Sequence, residues 1–213
     1  MMRNLSCLAV LLSLGWCMPA LGDVPRPSTA PSSWEFRFTH SAPKRIEVQS
    51  KGDKAPQPYW YITFKLINDS GAPRVFLPTF DMLTTDARIM RSDMTVPAVV
   101  FDAIVKRERN DLLEPLHKLM GQPIAVGPDE AREGVAIWPE AAKRMGKFSI
   151  FVSGLSGESR LYRNDGGNWV VVEVPKLGPD GEPTEKLILL RKTLKLDFEV
   201  AGEADKATTL GEE

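Results

Sequence analysis

Alternation between hydrophobic and polar residues dominates the middle of the chain. In residues 59–68 one side of the predicted strand is hydrophobic, comprising Trp60, Ile62, Phe64 and Leu66. Thr63 and Lys65 fall on the other side. A period of two is typical of a β-strand with one buried face. The same period recurs in residues 148–152 and 194–200, and residues 74–80 and 85–91 are predicted as neighbouring strands.

Turn signals separate these strands. The sequence NDGGN at residues 164–168 and the sequence PDG at residues 179–181 are typical of hairpin turns. The run from 186 to 200 is too long for one regular strand in a small domain, so we expect a bend near Arg191 and Lys192. Short strands between turns favour a mostly β fold, an antiparallel immunoglobulin-like β-sandwich.

One segment follows a helical period instead. Residues 97–109 begin with a proline, place Val100 and Ile104 one turn apart, and end in four charged residues. A short turn is expected over residues 115–120, before Gly121. We therefore predict a helical insertion near residues 97–120. It either forms a functional surface or caps one open end of the core.

The two ends of the chain differ from the middle. Residues 1–22 have a positive start, an apolar stretch and a small-residue site at Gly22, which predicts a cleaved signal peptide. Residues 23–33 are rich in proline and predict a flexible tether, and residues 201–213 predict a disordered tail. The β-sandwich domain is expected over residues 34–200.

Cleavage near Gly22 also removes every cysteine. Cys7 and Cys17 both lie within the predicted signal peptide, so the mature domain would have no disulfide and no thiolate ligand. The protein is predicted to be exported to the periplasm or the cell exterior, with no integral membrane segment after cleavage.

Composition narrows the function classes. The 213 residues are 43% hydrophobic, and 27 Lys and Arg residues face 28 Asp and Glu residues. This balance gives no basic field for phosphates, so no nucleic-acid partner is predicted. No Gly-rich nucleotide motif is present, and no cofactor is predicted.

A family resemblance supports the predicted fold. Three stretches carry it: residues 59–64 with 68–71, residues 96–104, and residues 134–138 with 151–158. Together they resemble a family of uncharacterised exported proteins of planctomycete-type bacteria. More loosely, residues 128–138 look like the acidic loop and following strand of immunoglobulin-like domains in bacterial secreted proteins. The resemblance implies a sandwich and brings no catalytic residues.

Catalytic and metal chemistries have weak signals. Gly154 to Glu158 begins like a nucleophile elbow but lacks its final glycine, and the only histidines are His40 and His117. A hydrolase without a recognisable motif is the third hypothesis, and Asp102 and Glu108 are its nominal acids. The second hypothesis is a periplasmic metal-handling accessory with Met, His and carboxylate ligands. Its candidate thioethers are Met82, Met90 and Met94, and candidate oxygen ligands occur at Asp129, Glu130, Glu133 and Asp165.

Binding is the first hypothesis. Tyr59 and Tyr61 point away from the predicted core, so they form either an exposed aromatic platform or a second core layer beneath the insertion. On the insertion, Asp102, Arg107 and Arg109 are the candidate contact residues. We therefore predict a non-enzymatic exported module that binds an unknown protein or carbohydrate ligand of the cell envelope, with no catalytic residue and no metal site.

Overall fold

The structure, a computed structural model, describes residues 25–26, 29–30, 32–140 and 145–200, and the backbone of the strand at 208–212. The predicted signal peptide, its cleavage site and both cysteines lie outside the described residues. So do residues 201–207 of the predicted tail and about half of the predicted tether. Among the described residues, no helix has the length and apolar character needed to cross a membrane.

Two five-stranded sheets form the body of the domain. The first sheet contains β1 (Phe36–His40), β2 (Lys44–Val48), β3 (Gln57–Asn68), β7 (Leu113–Pro115) and β9 (Gly127–Pro139). The second sheet contains β5 (Thr79–Thr84), β6 (Ile89–Arg91), β10 (Lys147–Ser153), β14 (Thr193–Glu199) and β15 (Thr208–Glu212). A separate two-stranded sheet pairs β4 (Arg74–Val75) with β8 (Pro123–Ile124). The mostly β prediction is therefore confirmed, with two short helices, and the two large sheets are compatible with a β-sandwich.

The alternating positions of the two sheets meet in one core. Trp60, Ile62, Phe64 and Leu66 of β3 are all buried in it, as their period predicts. They pack with side chains of the second sheet, namely Phe80, Met82, Phe148, Ile150, Val152, Leu196 and Phe198. Gly134 on β9 allows Phe64 and Leu119 to approach closely, because a Cβ there would lie 2.4 Å from the Phe64 ring.

A helix covers the outer face of the first sheet. Helix α1 (Ala98–Glu108) lies where the sequence predicts it and buries Val100 and Ile104. These two side chains form a second core with residues of the sheet, namely Val48, Tyr59, Tyr61, Leu113, Val135 and Ile137. A short helix, α2 (Leu116–Leu119), follows before Gly121. The insertion thus covers a sheet face rather than an open end of the sandwich.

A separate three-stranded sheet forms an arm beyond the ends of β10 and β14. The arm consists of β11 (Ser159–Asp165), β12 (Asn168–Val172) and β13 (Leu187–Arg191). The expected break in the long C-terminal run occurs at Lys192, between β13 and β14. Opposite it, residues 154–158 loop out between β10 and β11, and Lys192 donates its backbone N–H to the Glu158 carbonyl oxygen at 3.0 Å.

The N-terminal segment packs against this bend. Trp34 accepts a backbone hydrogen bond from Gly157 at 2.9 Å, and Phe36 donates one to Leu155 at 2.8 Å. A Cβ at Gly157 would lie 2.3 Å from the Trp34 ring nitrogen, so only glycine fits there. The described residues of the predicted tether are therefore partly in contact with the domain, since Ser33 also lies against Gly157.

Four sequence expectations differ from the structure in detail. The predicted strands at 74–80 and 85–91 are divided into β4, β5 and β6, because Pro78 cannot donate to a ladder and Ala87 turns the chain at a φ of 62°. β7 pairs with β9 in parallel, unlike the expected antiparallel pattern. β9 begins at Gly127, so the expected acidic loop belongs to the strand. Finally, Thr208–Glu212 forms β15 rather than a frayed end, because β14 offers an unpaired edge.

Candidate functional site

The outer face of β3 carries the candidate site. Tyr59, Tyr61, Thr63 and Lys65 lie along this face in order, because their side chains alternate with those of the core. Helix α1 covers only the first part of the face. Tyr61 is fully buried, Thr63 is half-buried and Lys65 is exposed, so the sheet emerges from under the helix just past its C-terminal end. The end of α1 therefore stands above the exposed part of the β3 face, and the two surfaces meet in a step.

This step is a polar cleft with a volume of about 220 Å³. We call it the cleft. Its floor and walls come from four strands of the first sheet and from the end of α1, namely Thr39, His40, Ser41, Thr63, Phe64, Lys65, Glu108, Asn110, Leu113 and Glu133.

Glu108 closes the cleft on the helix side. Its carboxylate accepts a hydrogen bond from the Tyr61 hydroxyl at 2.6 Å and forms an ion pair with Lys44 Nζ at 2.7 Å. Burial opposes ionisation of Glu108, but the hydrogen bonds from Lys44 and Tyr61 outweigh it and lower the pKa of the carboxyl below its usual value. Burial and the Glu108 carboxylate raise the pKa of Tyr61. Glu108 is thus an ionised anchor that ties the helix to the sheet.

Glu133 organises the opposite wall. Thr39, Lys65 and Glu133 lie directly across from one another on three adjacent strands. Lys65 Nζ lies 3.4 Å from one Glu133 oxygen, and Asn110 Nδ2 donates to the other at 2.6 Å. The turn after α1 positions Asn110, whose side-chain oxygen accepts the Leu112 backbone N–H. The wall therefore has fixed donors and acceptors.

An irregular strand edge forms the rim. β1 and β2 both pair with the same edge of β3, and the three residues between them lie opposite only Ile62 and Thr63, as in a β-bulge. Ser41 replaces the missing ladder contacts, since its backbone N–H donates to Thr63 and its hydroxyl accepts the Thr63 N–H. His40 Nδ1 lies 2.9 Å from the Ser41 carbonyl oxygen. A carbonyl oxygen can only accept, so this nitrogen carries the proton.

The chemistry of the cleft is polar and close to neutral. Its two carboxylates each have a lysine partner, Glu108 with Lys44 and Glu133 with Lys65. Hydroxyl, amide and imidazole groups supply further donors and acceptors. Such a surface fits a ligand that carries several neutral hydrogen-bonding groups.

The sequence-predicted binding residues fall in two places. Tyr59 and Tyr61 are buried, with 6% and 0% exposure, so the exposed-platform alternative is wrong and the second-layer alternative is what the fold adopts. The cause is α1, whose Val100 and Ile104 cover both rings. Tyr61 still reaches the site through its hydroxyl, which holds Glu108.

The three predicted contact residues of the insertion do not line the cleft. Asp102, Arg107 and Arg109 are all exposed on α1 or at its end. Arg107 donates to the backbone oxygen of Arg45 on β2, and Arg109 ends the helix with a φ of 52°. They hold or terminate the helix, and Asp102 does not join Glu108 in a shared cleft.

The residues missed by sequence reasoning are Lys44, Lys65 and Asn110. The alternation of β3 already places Lys65 on the same face as Tyr61, which is a usable signal. Nothing local marks Lys44 or Asn110, because their carboxylate partners are distant in the chain. Glu133, weighed from sequence as an oxygen ligand, instead binds Lys65 and Asn110.

The candidate metal ligands lie in different environments, although Met82 and Met90 are directly opposite each other on β5 and β6. Met82 is fully buried in the core, Met90 packs against it, and Met94 is 60% exposed. The His40 ring lies among Phe38 and Phe198, whereas His117 is exposed on α2. Within the described ranges, no three His, Cys, Asp or Glu residues come together in a way that could hold a metal ion.

Neither the family models, nor the curated proteins, nor the solved structures contain a match to this chain.

Proposed function

We propose that this protein is a non-enzymatic, exported binding module of the cell envelope that holds one unit of a neutral saccharide in the cleft. The observation that carries the proposal is a concave, polar and charge-paired surface beside the helical insertion. Loops and element ends on a rigid β scaffold are common places for such sites.

Three properties of the cleft favour a saccharide. Its carboxylates are matched by lysines, so it has no strong attraction for an ion. Its walls combine donors and acceptors, which is the pattern that sugar hydroxyls satisfy. Its volume of about 220 Å³ is below the roughly 300 to 1,000 Å³ of pockets that enclose a drug-sized ligand, so it fits one residue of a longer chain.

Rigidity supports specific recognition. Glu108, Lys44 and Tyr61 join α1, β2 and β3 through contacts of 2.6 and 2.7 Å. Groups held by packing and by hydrogen bonds lose little freedom when a ligand arrives, which favours binding. The cleft is therefore suited to reading the positions of hydroxyl groups.

The immunoglobulin-like topology, the family resemblance and export belong to the same proposal. An immunoglobulin-like sandwich is a frequent scaffold for extracellular recognition, and a cleaved signal peptide over residues 1–22 would deliver the domain to the cell exterior.

The metal-handling and hydrolase hypotheses gain less support from the structure than the binding hypothesis does. The described residues hold no group of three His, Cys, Asp or Glu side chains that could bind a metal ion, and the lowered pKa of Glu108 makes it a poor proton donor at neutral pH.

The test is binding of neutral oligosaccharides to the mature domain, first on an array and then by calorimetry with the best ligand. Removing residues 97–120 is unsuitable, because it would expose Tyr59, Tyr61 and Ile137. We use Glu133→Gln, which keeps the shape of the wall and removes its charge. The matched control is Glu114→Gln, a carboxylate of similar exposure that pairs with Arg132 outside the cleft.

We expect Glu133→Gln to weaken saccharide binding about tenfold, the loss of one good hydrogen bond, and Glu114→Gln to leave it unchanged. Both variants should unfold at temperatures near that of the unaltered protein. Absence of binding to every neutral oligosaccharide would refute the proposal. Equal losses in the two variants would also refute it, because they would place binding elsewhere.

A further inference from the structure

A second cavity lies where the arm leaves the sandwich. Its volume is about 350 Å³, and it shares no residue with the cleft. Four of its nine lining residues are cationic, namely Arg26, Arg160, Arg191 and Lys192, and one, Glu158, is a carboxylate. The cleft and this cavity therefore differ in electrostatic character.

The strand register explains how the positive groups converge. Arg160 lies directly opposite Leu190 on β13, and Arg160 and Tyr162 share one face of β11 because they are two positions apart. Lys192 lies at the bend, two positions beyond Leu190, and Arg191 lies directly opposite Ser159. Pro25 and Arg26, from the N-terminal segment, also line the cavity.

Most of the positive charge in this cavity has no carboxylate partner. Lys192 is the exception, since its Nζ lies 2.7 Å from Glu35 and 4.0 Å from Glu158. The guanidinium groups of Arg26, Arg160 and Arg191 form no ion pair and no hydrogen bond with the described part of the chain. Three guanidinium groups beside one cavity are attractive for an anion.

The framework of the cavity is rigid. Glu35 bridges to Ser156 and binds Lys192, which ties the N-terminal segment to both sides of the bend. Tyr162 is 9% exposed and, with Leu190 and Pro25, gives the cavity an apolar wall. A positive rim beside an apolar wall fits an oxyanion carried on a small organic group.

We propose that this cavity is an anion-binding site that takes a carboxylate, phosphate or sulfate group of a small organic ligand through Arg160 and Arg26. Guanidinium groups bind such oxyanions with two parallel hydrogen bonds, which gives direction as well as charge attraction. The site is independent of the cleft, because neither its residues nor its ligand chemistry is shared.

The experiment is calorimetric titration of the mature protein with four separate probes: inorganic phosphate, inorganic sulfate, glucuronate and glucose 6-phosphate. The variants are Arg160→Gln and Arg26→Gln, both at exposed positions whose loss removes no observed ion pair. The control is Arg163→Gln, on the same strand but on the opposite face, where Arg163 pairs with Glu185 at 2.9 Å.

We expect at least one organic probe to bind, with an affinity that falls as salt is added. Arg160→Gln should raise the dissociation constant about tenfold, and Arg163→Gln should change it less than about twofold. Binding of only the inorganic ions would overturn the role of the apolar wall. Absence of binding by all four probes at about 10 mM, or equal affinity in Arg160→Gln and the unaltered protein, would overturn the site itself.

Discussion

Asp93 is expected to make the stability of this protein depend on pH. It lies in the loop that leads from β6 to α1, in a left-handed conformation with a φ of 59°. Its backbone N–H donates to the Ile137 carbonyl oxygen at 2.8 Å, and its Oδ2 atom is buried without a hydrogen-bond partner in the described structure. Burial raises the pKa of this carboxyl from its usual 3.8 to about 6, although Ser92 and the Ile137 backbone partly offset it.

The magnitude follows from that pKa difference. Between about pH 4 and pH 6 the folded protein holds a proton on Asp93 that the unfolded chain has released, so the free energy of unfolding falls as the pH rises. The full difference corresponds to about 3 kcal/mol. Asp93 retains some solvent exposure, so we expect about 2 kcal/mol of this effect above pH 7.

The perturbation is Asp93→Asn. Asparagine keeps the size of the side chain and tolerates the left-handed backbone, but it cannot ionise. Urea unfolding of both proteins should give nearly equal stability at about pH 4 and an advantage for the variant of about 2 kcal/mol at about pH 7. Subtracting the free energy of unfolding of one protein from that of the other at each pH cancels the contributions of the other titrating groups.

Asp197→Asn provides a control of opposite sign. Hydrogen bonds from Lys195 and Ser149 lower the pKa of Asp197, so its stabilising contribution is present above its usual pKa and is lost as the pH falls. Asp197→Asn should therefore be the less stable protein at neutral pH. A stability difference for Asp93→Asn that stays constant from about pH 4 to pH 7, or that favours aspartate at neutral pH, would refute the reasoning.

Three further substitutions test the framework. Tyr61→Phe removes the 2.6 Å hydrogen bond to Glu108 and should lower the free energy of unfolding by about 1 to 2 kcal/mol in urea titration. The amides of α1 should also exchange faster with solvent. Unchanged stability would contradict the role of Glu108 in holding α1 on the sheet. Glu140→Ala removes the partner of one guanidinium and one indole, at 3.0 Å each, and should cost about 2 to 3 kcal/mol in the same assay. Gly134→Ala places a Cβ against the Phe64 ring and should lower the melting temperature by several degrees, about 1 to 3 kcal/mol, whereas an unchanged melting temperature would contradict the tight packing there.

The alternation in β3 allowed the inner face of this one strand to be predicted residue by residue. The reason is local, because successive strand side chains point to opposite sides whatever surrounds them. Helix α1 was also predictable from local sequence, because the segment starts with a proline and has two apolar residues one turn apart. The bend at Lys192 was predictable from length alone, since a regular strand over residues 186–200 would exceed the width of a small domain.

What covers each face was decided only by the tertiary structure. The sequence places Tyr59 and Tyr61 on the outer side of β3, but whether they meet water or α1 depends on a segment that lies about 40 residues further along the chain. Both candidate sites are also formed by tertiary contacts. Lys44 meets Glu108, Lys65 meets Glu133, and Arg26 comes to the cavity beside Arg160, all between segments that are distant in sequence. A residue pattern determines the direction of a side chain, whereas its partner is determined by which strands pair and by how the sheets and helix pack.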